Sequence, residues 1–363
     1  MKLEKLGNIA TIKTGKYDVN HSTPDGEYAF YTCAFGQFKS PTYSFEGPAI
    51  ILPGNGANVG EVFFYDGKFE AYQRTYVVQN FKADPNYIYA YFKAQWKNSL
   101  RNKQFGSATN YIRLNNLTDF TIPLPPLPDQ LHIANLLSKA ENLIAQRKES
   151  IRLLDEFLKS TFLEMFGDPL INSKQWRIIK IKDCGKIVTG TTPPSSKDGM
   201  FGGEIPFITP SDLESDEPNR RFVTELGAKN SRTVRKGATF ICCIGATIGK
   251  VQRAKVLSAF NQQLNAIEWN NDFNDLFGER LMRFMKPRII AKGGASTTLP
   301  ILNKGDFEKI EIIHPPIELQ TRFAQIVEKT EALKSQYQQS LQELENLYGS
   351  LSQKAFRGEL TKK

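Results

Sequence analysis

The fold is decided by a stretch that occurs twice, as PPLPDQ at residues 125–130 and as PPIELQ at residues 315–320. Proline is tolerated in the first turn of a helix but not in its interior, and each Pro pair is followed by a long run of helix-forming residues. The two stretches therefore predict two long helices that begin at equivalent points of an internal repeat.

The repeat extends outward from these stretches with a period of about 190 residues. In the helical runs Glu141 matches Glu331 and Phe166 matches Phe356, and in the longer segments Gly56-Ala57 matches Gly245-Ala246. We expect a globular segment at 1–124, a helix at 125–167, a second globular segment at 168–314 and a second helix at 315–363.

Apolar residues recur every three or four positions along both helical runs, as in the seam of a coiled coil. The expected seam includes Leu143 and Phe157 in the first helix and Leu347 in the second. About 40 residues make a rod of roughly 60 Å, and its apolar stripe needs a partner. We expect the two helices to pair antiparallel and to relate the globular segments by a pseudo-twofold axis; the alternative is that each helix packs on its own globular segment.

The globular segments are typical of mixed α/β structure, because β-rich runs alternate with Gly, Asn and Pro turns. One amphipathic stretch at 87–97 predicts a helix. The expected strands are at 49–52, 61–65, 76–78, 239–244, 249–252 and 264–268.

The net charge of +9 is unevenly distributed, which indicates where a polyanion would bind. The globular segments carry +3 and +6, whereas the helical segments carry −1 and +1. This distribution favours nucleic-acid contact by the globular segments, with ordinary variation in a soluble protein as the alternative.

The sequence predicts a cytoplasmic protein, because it shows neither a secretory signal nor an apolar run of about 18 residues. Its four cysteines form no C-x-x-C pair and its three histidines are far apart, so we expect neither a disulfide framework nor a zinc site. No membrane contact is expected.

Several stretches resemble catalytic or cofactor motifs and then depart from them. Residues 245–251, GATIGKV, have three residues between the glycines instead of the four of a P-loop, and Val251 replaces the Ser or Thr that reaches magnesium. Residues 54–60, GNGANVG, occupy the same slot of the repeat, which favours a shared turn over two cofactor sites. The dipeptide Asp66-Gly67 is interpreted as a hairpin turn. We therefore expect no cofactor bound by this chain.

In these features the sequence resembles the specificity subunit of Type I restriction-modification systems over essentially its whole length. The two Pro-Pro stretches resemble the family's conserved regions. Residues 187–193 (IVTGTTP), 205–213 (IPFITPSDL), 245–251 and 261–263 (NQQ) resemble its second target-recognition domain. The first globular segment is a less typical copy, because Lys13-Thr14-Gly15-Lys16 is not followed by Thr-Pro.

The resemblance implies a non-catalytic reader of double-stranded DNA. Two α/β target-recognition domains, 1–124 and 168–314, would each read half of a bipartite site, and the paired helices would set the gap between the halves. Two methyltransferase subunits would dock and methylate adenine. S-adenosylmethionine, and ATP with Mg, would then be bound by partner subunits, and whether a restriction or translocase subunit joins is left open.

Candidate contacts combine loop position with side chains that bond bases or phosphates. The DNA candidates are Gln73, Arg74, Ser107, Thr109, Asn110 and Arg113 in the first domain, and Ser195, Ser196, Lys197, Arg220, Arg221, Lys250, Gln262, Gln263, Ser296 and Thr298 in the second. The candidates for methyltransferase docking are Arg147, Lys148 and Arg152 on the first helix.

Three alternatives remain at this point. A self-contained DNA-modifying enzyme would need methyltransferase or nuclease motifs that the sequence lacks. A coiled-coil scaffold would leave the charge of the globular segments without a role. The recognition subunit of another bipartite-site system would share this architecture and differ only in its partner.

Overall fold

The computed structural model describes residues 1–36, 38–100, 110–215, 217–294 and 300–360. The chain divides into two compact units. Unit 1 comprises residues 1–149 together with 338–363, and unit 2 comprises residues 150–337. Each unit therefore combines one globular segment with parts of both long helices.

Unit 1 is built on a six-stranded sheet with the strand order β2-β7-β5-β6-β3-β4 and a two-stranded sheet of β1 and β8. Most neighbours are antiparallel, whereas β3 and β6 are parallel. Its strands are β1 (Lys2–Lys5), β2 (Thr11–Thr14), β3 (Tyr28–Tyr31), β4 (Phe38–Ser40), β5 (Phe45–Pro53), β6 (Phe63–Ala71), β7 (Thr75–Gln79) and β8 (Thr121–Leu124). Its short helices are α1 (Leu6–Ile9), α2 (Pro85–Ser99) and α3 (Leu114–Thr118).

Unit 2 contains two four-stranded sheets, β10-β17-β14-β15 and β12-β11-β16-β13, and a two-stranded sheet of β9 and β18. Its strands are β9 (Arg177–Lys180), β10 (Gly185–Thr189), β11 (Phe201–Ile208), β12 (Phe222–Val223), β13 (Thr233–Val234), β14 (Thr239–Cys242), β15 (Val251–Arg253), β16 (Ser258–Phe260), β17 (Leu264–Trp269) and β18 (Glu311–His314). Its short helices are α5 (Glu225–Lys229), α6 (Asp275–Phe284), α7 (Lys286–Lys292) and α8 (Lys304–Glu308).

The two predicted long helices are confirmed as α4 (Leu127–Phe166) and α9 (Ile317–Arg357). A buried glutamine fixes the start of each one. The side chain of Gln130 accepts from the backbone N–H of Asp84 and donates to the carbonyl of Pro125, at 2.9 and 2.8 Å. Gln320 does the same with Asn274 and Pro315, at 2.9 and 2.8 Å. The repeat seen in the sequence is therefore also a repeat of hydrogen bonds.

The segments of the two helices run antiparallel within each unit. In unit 1, Tyr348 donates to Glu141 at 2.5 Å and Lys148 pairs with Glu345 at 2.8 Å, so the chain numbers rise on one helix as they fall on the other. In unit 2, Lys334 Nζ lies 2.7 Å from both carboxylate oxygens of Asp155. The ring of Phe162 meets that of Phe323 about two to three turns further along. This arrangement agrees with the predicted antiparallel pairing.

The predicted seam is shifted at three positions. Leu143, Phe157 and Leu347 are each about half exposed, at 51, 49 and 51%. At two of these positions the next residue packs into a core instead, Leu158 after Phe157 and Tyr348 after Leu347. An α-helix has 3.6 residues per turn, so a strict 3.5-residue seam drifts around the helix and the contact passes to an adjacent residue.

Two regions of the strand prediction differ from the structure. Asp66-Gly67 lies inside β6, with Gly67 opposite Gly47 of β5, and so the hairpin-turn interpretation is wrong. A glycine on each strand at the same register lets the ladder continue through this point. The strands expected at 61–65 and 249–252 begin two residues later, at Phe63 and Val251, because the glycine-rich turns before them extend further.

Candidate nucleic-acid interface

A common backbone frame supports the candidate residues in both units. The turn before β7 is joined to the end of β5 by the bond from the Gly54 N–H to the Arg74 carbonyl, at 2.9 Å. In unit 2 the Cys243 N–H donates to the Gln263 carbonyl, also at 2.9 Å. Arg74 and Gln263 therefore occupy equivalent positions.

The glycine that follows β2 or β10 completes this frame. Gly15 donates to the carbonyl of Thr75 at 3.4 Å, and Gly190 donates to that of Leu264 at 3.0 Å. A Cβ at either position would lie within about 2 Å of a backbone oxygen, 1.6 Å at Gly15 and 2.0 Å at Gly190. Only glycine allows the loop to approach the turn this closely.

The stretches that resemble cofactor loops are turns between strands, GNGANVG between β5 and β6 and GATIGKV between β14 and β15. Gly56 donates to the carbonyl of Asn110 at 2.8 Å, and Gly245 donates to that of Pro300 at 3.0 Å. Both glycines have positive φ, at 87° and 98°. Their N–H groups are thus engaged by the protein in a conformation that glycine adopts readily.

Unit 1 has a cavity of about 250 Å³ beside this frame, and Gln73 and Arg74 line it with Asn55, Tyr76 and Tyr111. The amide nitrogen of Gln73 donates to the Asp18 carboxylate at 3.3 Å. Burial raises the pKa of Tyr76, so its hydroxyl stays neutral, and it donates to the Ile112 carbonyl at 3.4 Å. The cavity wall thus combines the Gln73 amide, which Asp18 holds in place, with the Arg74 guanidinium.

The remaining described candidates of unit 1 lie beside this cavity. Asn110 is exposed, and its carbonyl accepts from Gly56. The Arg113 guanidinium lies over the ring of Tyr111 at 5.9 Å and contacts its hydroxyl at 3.5 Å. The structure therefore brings Gln73, Arg74 and Arg113 into one neighbourhood, through the turn before β7 and the segment before α3.

Unit 2 has a cavity of about 450 Å³ beside the equivalent turn, and Arg220, Arg221 and Gln263 line it. The other lining residues are Thr209, Pro210, Ser211, Asp212 and Asn261. Asp212 is held within the wall, because its carboxylate accepts from the Thr209 N–H at 2.8 Å and from its hydroxyl at 2.6 Å.

The two arginines of this cavity differ in their partners. Arg220 forms an ion pair with Glu217 three residues earlier. The Arg221 side chain is exposed and makes no hydrogen bond or ion pair with the residues that the structure describes. An anion entering the cavity therefore meets one free guanidinium and one that a carboxylate already engages.

The other candidates of unit 2 are spread around the cavity. Ser195, Ser196 and Lys197 are exposed on the loop after β10. Gln262 accepts from the Thr192 hydroxyl at 2.7 Å. Lys250 is half-buried, and its ammonium donates to the Leu213 carbonyl at 3.1 Å, which holds it within the protein surface.

The three basic candidates on α4 lie on the helix surface. Lys148 is joined to Glu345 of α9, and Arg152 forms an ion pair with Glu156 one turn later. Arg147 is half-buried. Lys148 thus contributes to the pairing of the helices in unit 1.

Four candidates, Ser107, Thr109, Ser296 and Thr298, lie outside the described residues. Sequence reasoning missed Asp18, Asn261 and Tyr111, which contact candidate side chains. Asn261 stands inside the NQQ stretch at 261–263 and Asp18 lies three residues after Gly15, but their bonds to glutamine side chains depend on tertiary structure.

The described residues contain neither a cluster of metal ligands nor a membrane-spanning helix. Nowhere in them do three His, Cys, Asp or Glu side chains gather as metal ligands. None of their helices is long and apolar enough to cross a bilayer.

The model of one protein family matches two stretches of the chain. The family is described as "Type I restriction modification DNA specificity domain", and the matched residues are 1–153 and 173–346. Each match contains one globular segment and the beginning of the helix that follows it. The two matches therefore reproduce the internal repeat.

Relatives and solved structures of this class are similar to the chain. The Escherichia coli Type I restriction enzyme EcoDI specificity subunit is 26% identical over 402 residues, which cover 99% of this chain and 88% of that protein. The Haemophilus influenzae HindI specificity subunit is 31% identical over 43% of this chain and 36% of its own length.

The solved S subunit of a Type I restriction-modification system from M. genitalium has a TM-score of 0.68 at 18% identity, covering 98% of this chain and 96% of that one. At this identity the likeness concerns the fold. A second solved structure comes from work on the complex assembly and conformational transition of the type I R-M system. It has a TM-score of 0.55 at 20% identity, and the match covers 98% of this chain and 97% of that one.

Proposed function

The chain belongs to the Type I restriction-modification DNA specificity family, and from this membership we propose which of its surfaces contact DNA and which contact partner proteins. As a specificity subunit with two tandem target-recognition domains, it is a non-catalytic DNA-recognition subunit of the restriction-modification complex. Membership of this family excludes two alternatives, a self-contained DNA-modifying enzyme and a coiled-coil scaffold that binds no DNA, because neither is a specificity subunit.

We propose that the two cavities beside the repeated frame are the places where each unit reads its half of a bipartite site. The observation that carries this proposal is that the same backbone bonds, Gly54 to Arg74 and Cys243 to Gln263, present different polar side chains to a cavity in each unit. Arginine and glutamine have the bidentate geometry that reads bases in the major groove. The recognition domains are proposed to span 1–124 and 168–314.

The other candidates are proposed as supporting contacts. Lys197, Arg113 and Arg220 are exposed cations suited to phosphates, and Ser195, Ser196 and Asn110 are exposed polar groups on neighbouring loops. Gln73 and Gln262 flank the base-reading positions. Lys250 would approach DNA only by giving up its bond to Leu213. Ser107, Thr109, Ser296 and Thr298 stay in the proposal on their sequence alone.

We propose that two methyltransferase subunits dock on the exposed faces of α4 and α9. In unit 2, Leu153 and Phe157 are about half exposed, at 49% each, next to Arg152, and in unit 1 Leu143 is 51% exposed near Arg147 and Lys148. Apolar side chains rimmed by charge are typical of protein interfaces. S-adenosylmethionine, and ATP with Mg, would be held by the partners, and the complex would act on DNA in the cytoplasm.

The test is DNA binding by the complex of this chain with its methyltransferase partner. A labelled duplex that carries the gapped target should bind at least tenfold more tightly than a duplex in which either half is scrambled. Scrambling the gap alone, at constant length, is the matched control and should leave binding unchanged. Equal binding to all three duplexes would contradict the proposal.

A further inference from the structure

The amide groups of Asn261 and Gln263 are held in one orientation by a chain of hydrogen bonds. The backbone N–H of Gln263 lies 3.2 Å from Asn261 Oδ1, and because a backbone N–H only donates, the carbonyl end of the Asn261 amide must face it. Asn261 Nδ2 then points the other way and donates to Gln263 Oε1 at 2.9 Å. Neither amide can be reversed without losing a bond.

The consequence is that the polar atom of the Gln263 amide left available beside the cavity is Nε2, which carries two N–H groups. Its carbonyl is engaged by Asn261, whereas its Nε2 has no acceptor among the residues that the structure describes. Arg221, which has donors only, lines the same cavity and is also without a side-chain partner within those residues. This part of the cavity wall therefore complements a group with two adjacent acceptors.

A free glutamine usually pairs with adenine, which it meets with its carbonyl and one N–H. With the carbonyl occupied, that pairing is disfavoured. Guanine presents two acceptors, N7 and O6, at its major-groove edge, whereas cytosine offers a donor there and thymine offers one acceptor beside a methyl group. We propose that Gln263 reads a guanine in the half-site bound by unit 2 and that Asn261 is the positioning residue that gives it this preference. This inference rests on the DNA contact assigned to the cavity above.

Unit 1 supports the inference independently, because Arg74 occupies the position equivalent to Gln263. Arginine has donors and no acceptor, so it needs no neighbour to fix its polarity. At the position equivalent to Asn261, unit 1 has Tyr72. The slot thus offers donors in both units, by a guanidinium in one and by an oriented amide in the other.

The experiment uses the complex of the full chain with its methyltransferase partner, after methylome sequencing has defined the wild-type motif. Binding is measured on duplexes in which each guanine of the second half-site is replaced in turn by adenine. For the wild-type chain, one replacement should weaken binding at least tenfold.

Gln263→Glu keeps the shape and the acceptor for Asn261 but removes both donors. It should weaken binding to the cognate duplex at least tenfold and abolish the guanine preference at that position alone. Gln262→Glu is the matched control, because it introduces the same negative charge one residue away. The new carboxylate of residue 262 can still accept from the Thr192 hydroxyl. This variant should retain the guanine preference, with any loss of affinity shared by all duplexes.

Asn261→Asp tests the positioning role. Aspartate cannot donate to Gln263 Oε1, so the glutamine amide is expected to turn its Nε2 toward the new carboxylate and expose its carbonyl. The ratio of guanine to adenine affinity should fall at least tenfold, a readout that a merely structural residue would not move.

Three results would each overturn the inference. They are a second half-site without guanine, an unchanged guanine preference in Gln263→Glu, or an equal loss on every duplex, which would make Gln263 a phosphate contact. In each of these cases the proposed function would still hold, provided that the wild-type complex binds a specific sequence. If the wild-type complex bound no specific sequence, the proposed function itself would fail, and this inference with it.

Discussion

The cavities of the two units share their backbone and differ in their side chains. Both lie beside a turn whose carbonyl accepts from the residue that follows a neighbouring strand of the sheet, Gly54 after β5 and Cys243 after β14, at 2.9 Å in each unit. Unit 1 fills this frame with Gln73, Arg74 and Tyr111, and unit 2 fills it with Asn261, Gln263 and two arginines.

This difference separates what the fold requires from what recognition requires. Apart from Gly15 and Gly190, backbone hydrogen bonds of the frame can be made by almost any residue, whereas base reading depends on the donors and acceptors that each side chain presents. The following variants test whether equivalent positions carry equal weight in the two units.

The largest expected difference is at the end of the long helices, where Phe166 and Phe356 are equivalent. Phe166 is fully buried against Phe162, Phe277 and Phe323, whereas Phe356 is half-buried against Tyr87 and Tyr91. Phe166→Ala should reduce the free energy of unfolding by about 3–5 kcal/mol, and Phe356→Ala should cost less. Urea denaturation followed by circular dichroism measures both. Equal losses would mean that the two helix ends pack alike.

The next effect concerns the glutamines that fix the helix starts. Gln320→Leu leaves the Asn274 N–H and the carbonyls of Asp272 and Pro315 without this partner, and we expect a loss of about 2–3 kcal/mol. Gln130→Leu removes two bonds instead of three and should cost less. The exposed Gln353→Leu serves as the control in the same urea titrations. A loss at Gln353 as large as that at Gln320 would show that burial of these amides is unimportant.

A smaller effect distinguishes the two arginines of the unit 2 cavity. Arg221→Ala should lower the slope of log affinity against log salt by about 1, because it removes one cation available to the DNA backbone. Arg220→Ala should lower it less, since Glu217 already engages that charge. Lys309→Ala, which removes a cation paired with Asp306 away from the cavity, is the control. An unchanged slope in Arg221→Ala would exclude that residue from the contacts.

The mildest test labels the thiols without changing the protein. Burial raises the pKa of Cys184 and of Cys243 to about 12, so both stay protonated near neutral pH, and Cys242 is buried as well. Cys33 of unit 1 is half-buried. A maleimide at pH 7.5 should therefore modify Cys33 first in the folded chain and all four thiols after unfolding, as followed by mass spectrometry. Rapid modification of Cys243 would contradict the packing of unit 2.

The sequence was sufficient for features that depend on local pattern and repetition. The Pro-Pro pairs predicted where α4 and α9 begin, and the equivalence of the two glycine-rich stretches predicted a shared turn. Features that depend on phase or on tertiary contact were less accessible. The seam residues Leu143, Phe157 and Leu347 proved to be half exposed, because spacing alone does not determine helical phase.

The polarity of the Gln263 amide shows the limit of sequence reasoning at the site. The side chain was a candidate because glutamine reads bases, yet the bond from Asn261 that orients it is a geometric fact of the turn. The pairing of Gln73 with Asp18, 55 residues earlier, was equally beyond a reading of the sequence. Residue type gives the possible partners of a side chain, and its neighbours select among them.

Each unit is proposed to read one half of a bipartite site through its own cavity. The most direct measurement is methylome sequencing of a methylation-free host that expresses the chain with its methyltransferase partner, as wild type, Arg74→Ala or Gln263→Glu. We expect methyladenine in one gapped motif, with Arg74→Ala relaxing one half only and Gln263→Glu altering only the other. A motif that changes in the same half with both variants, or in neither half, would contradict it.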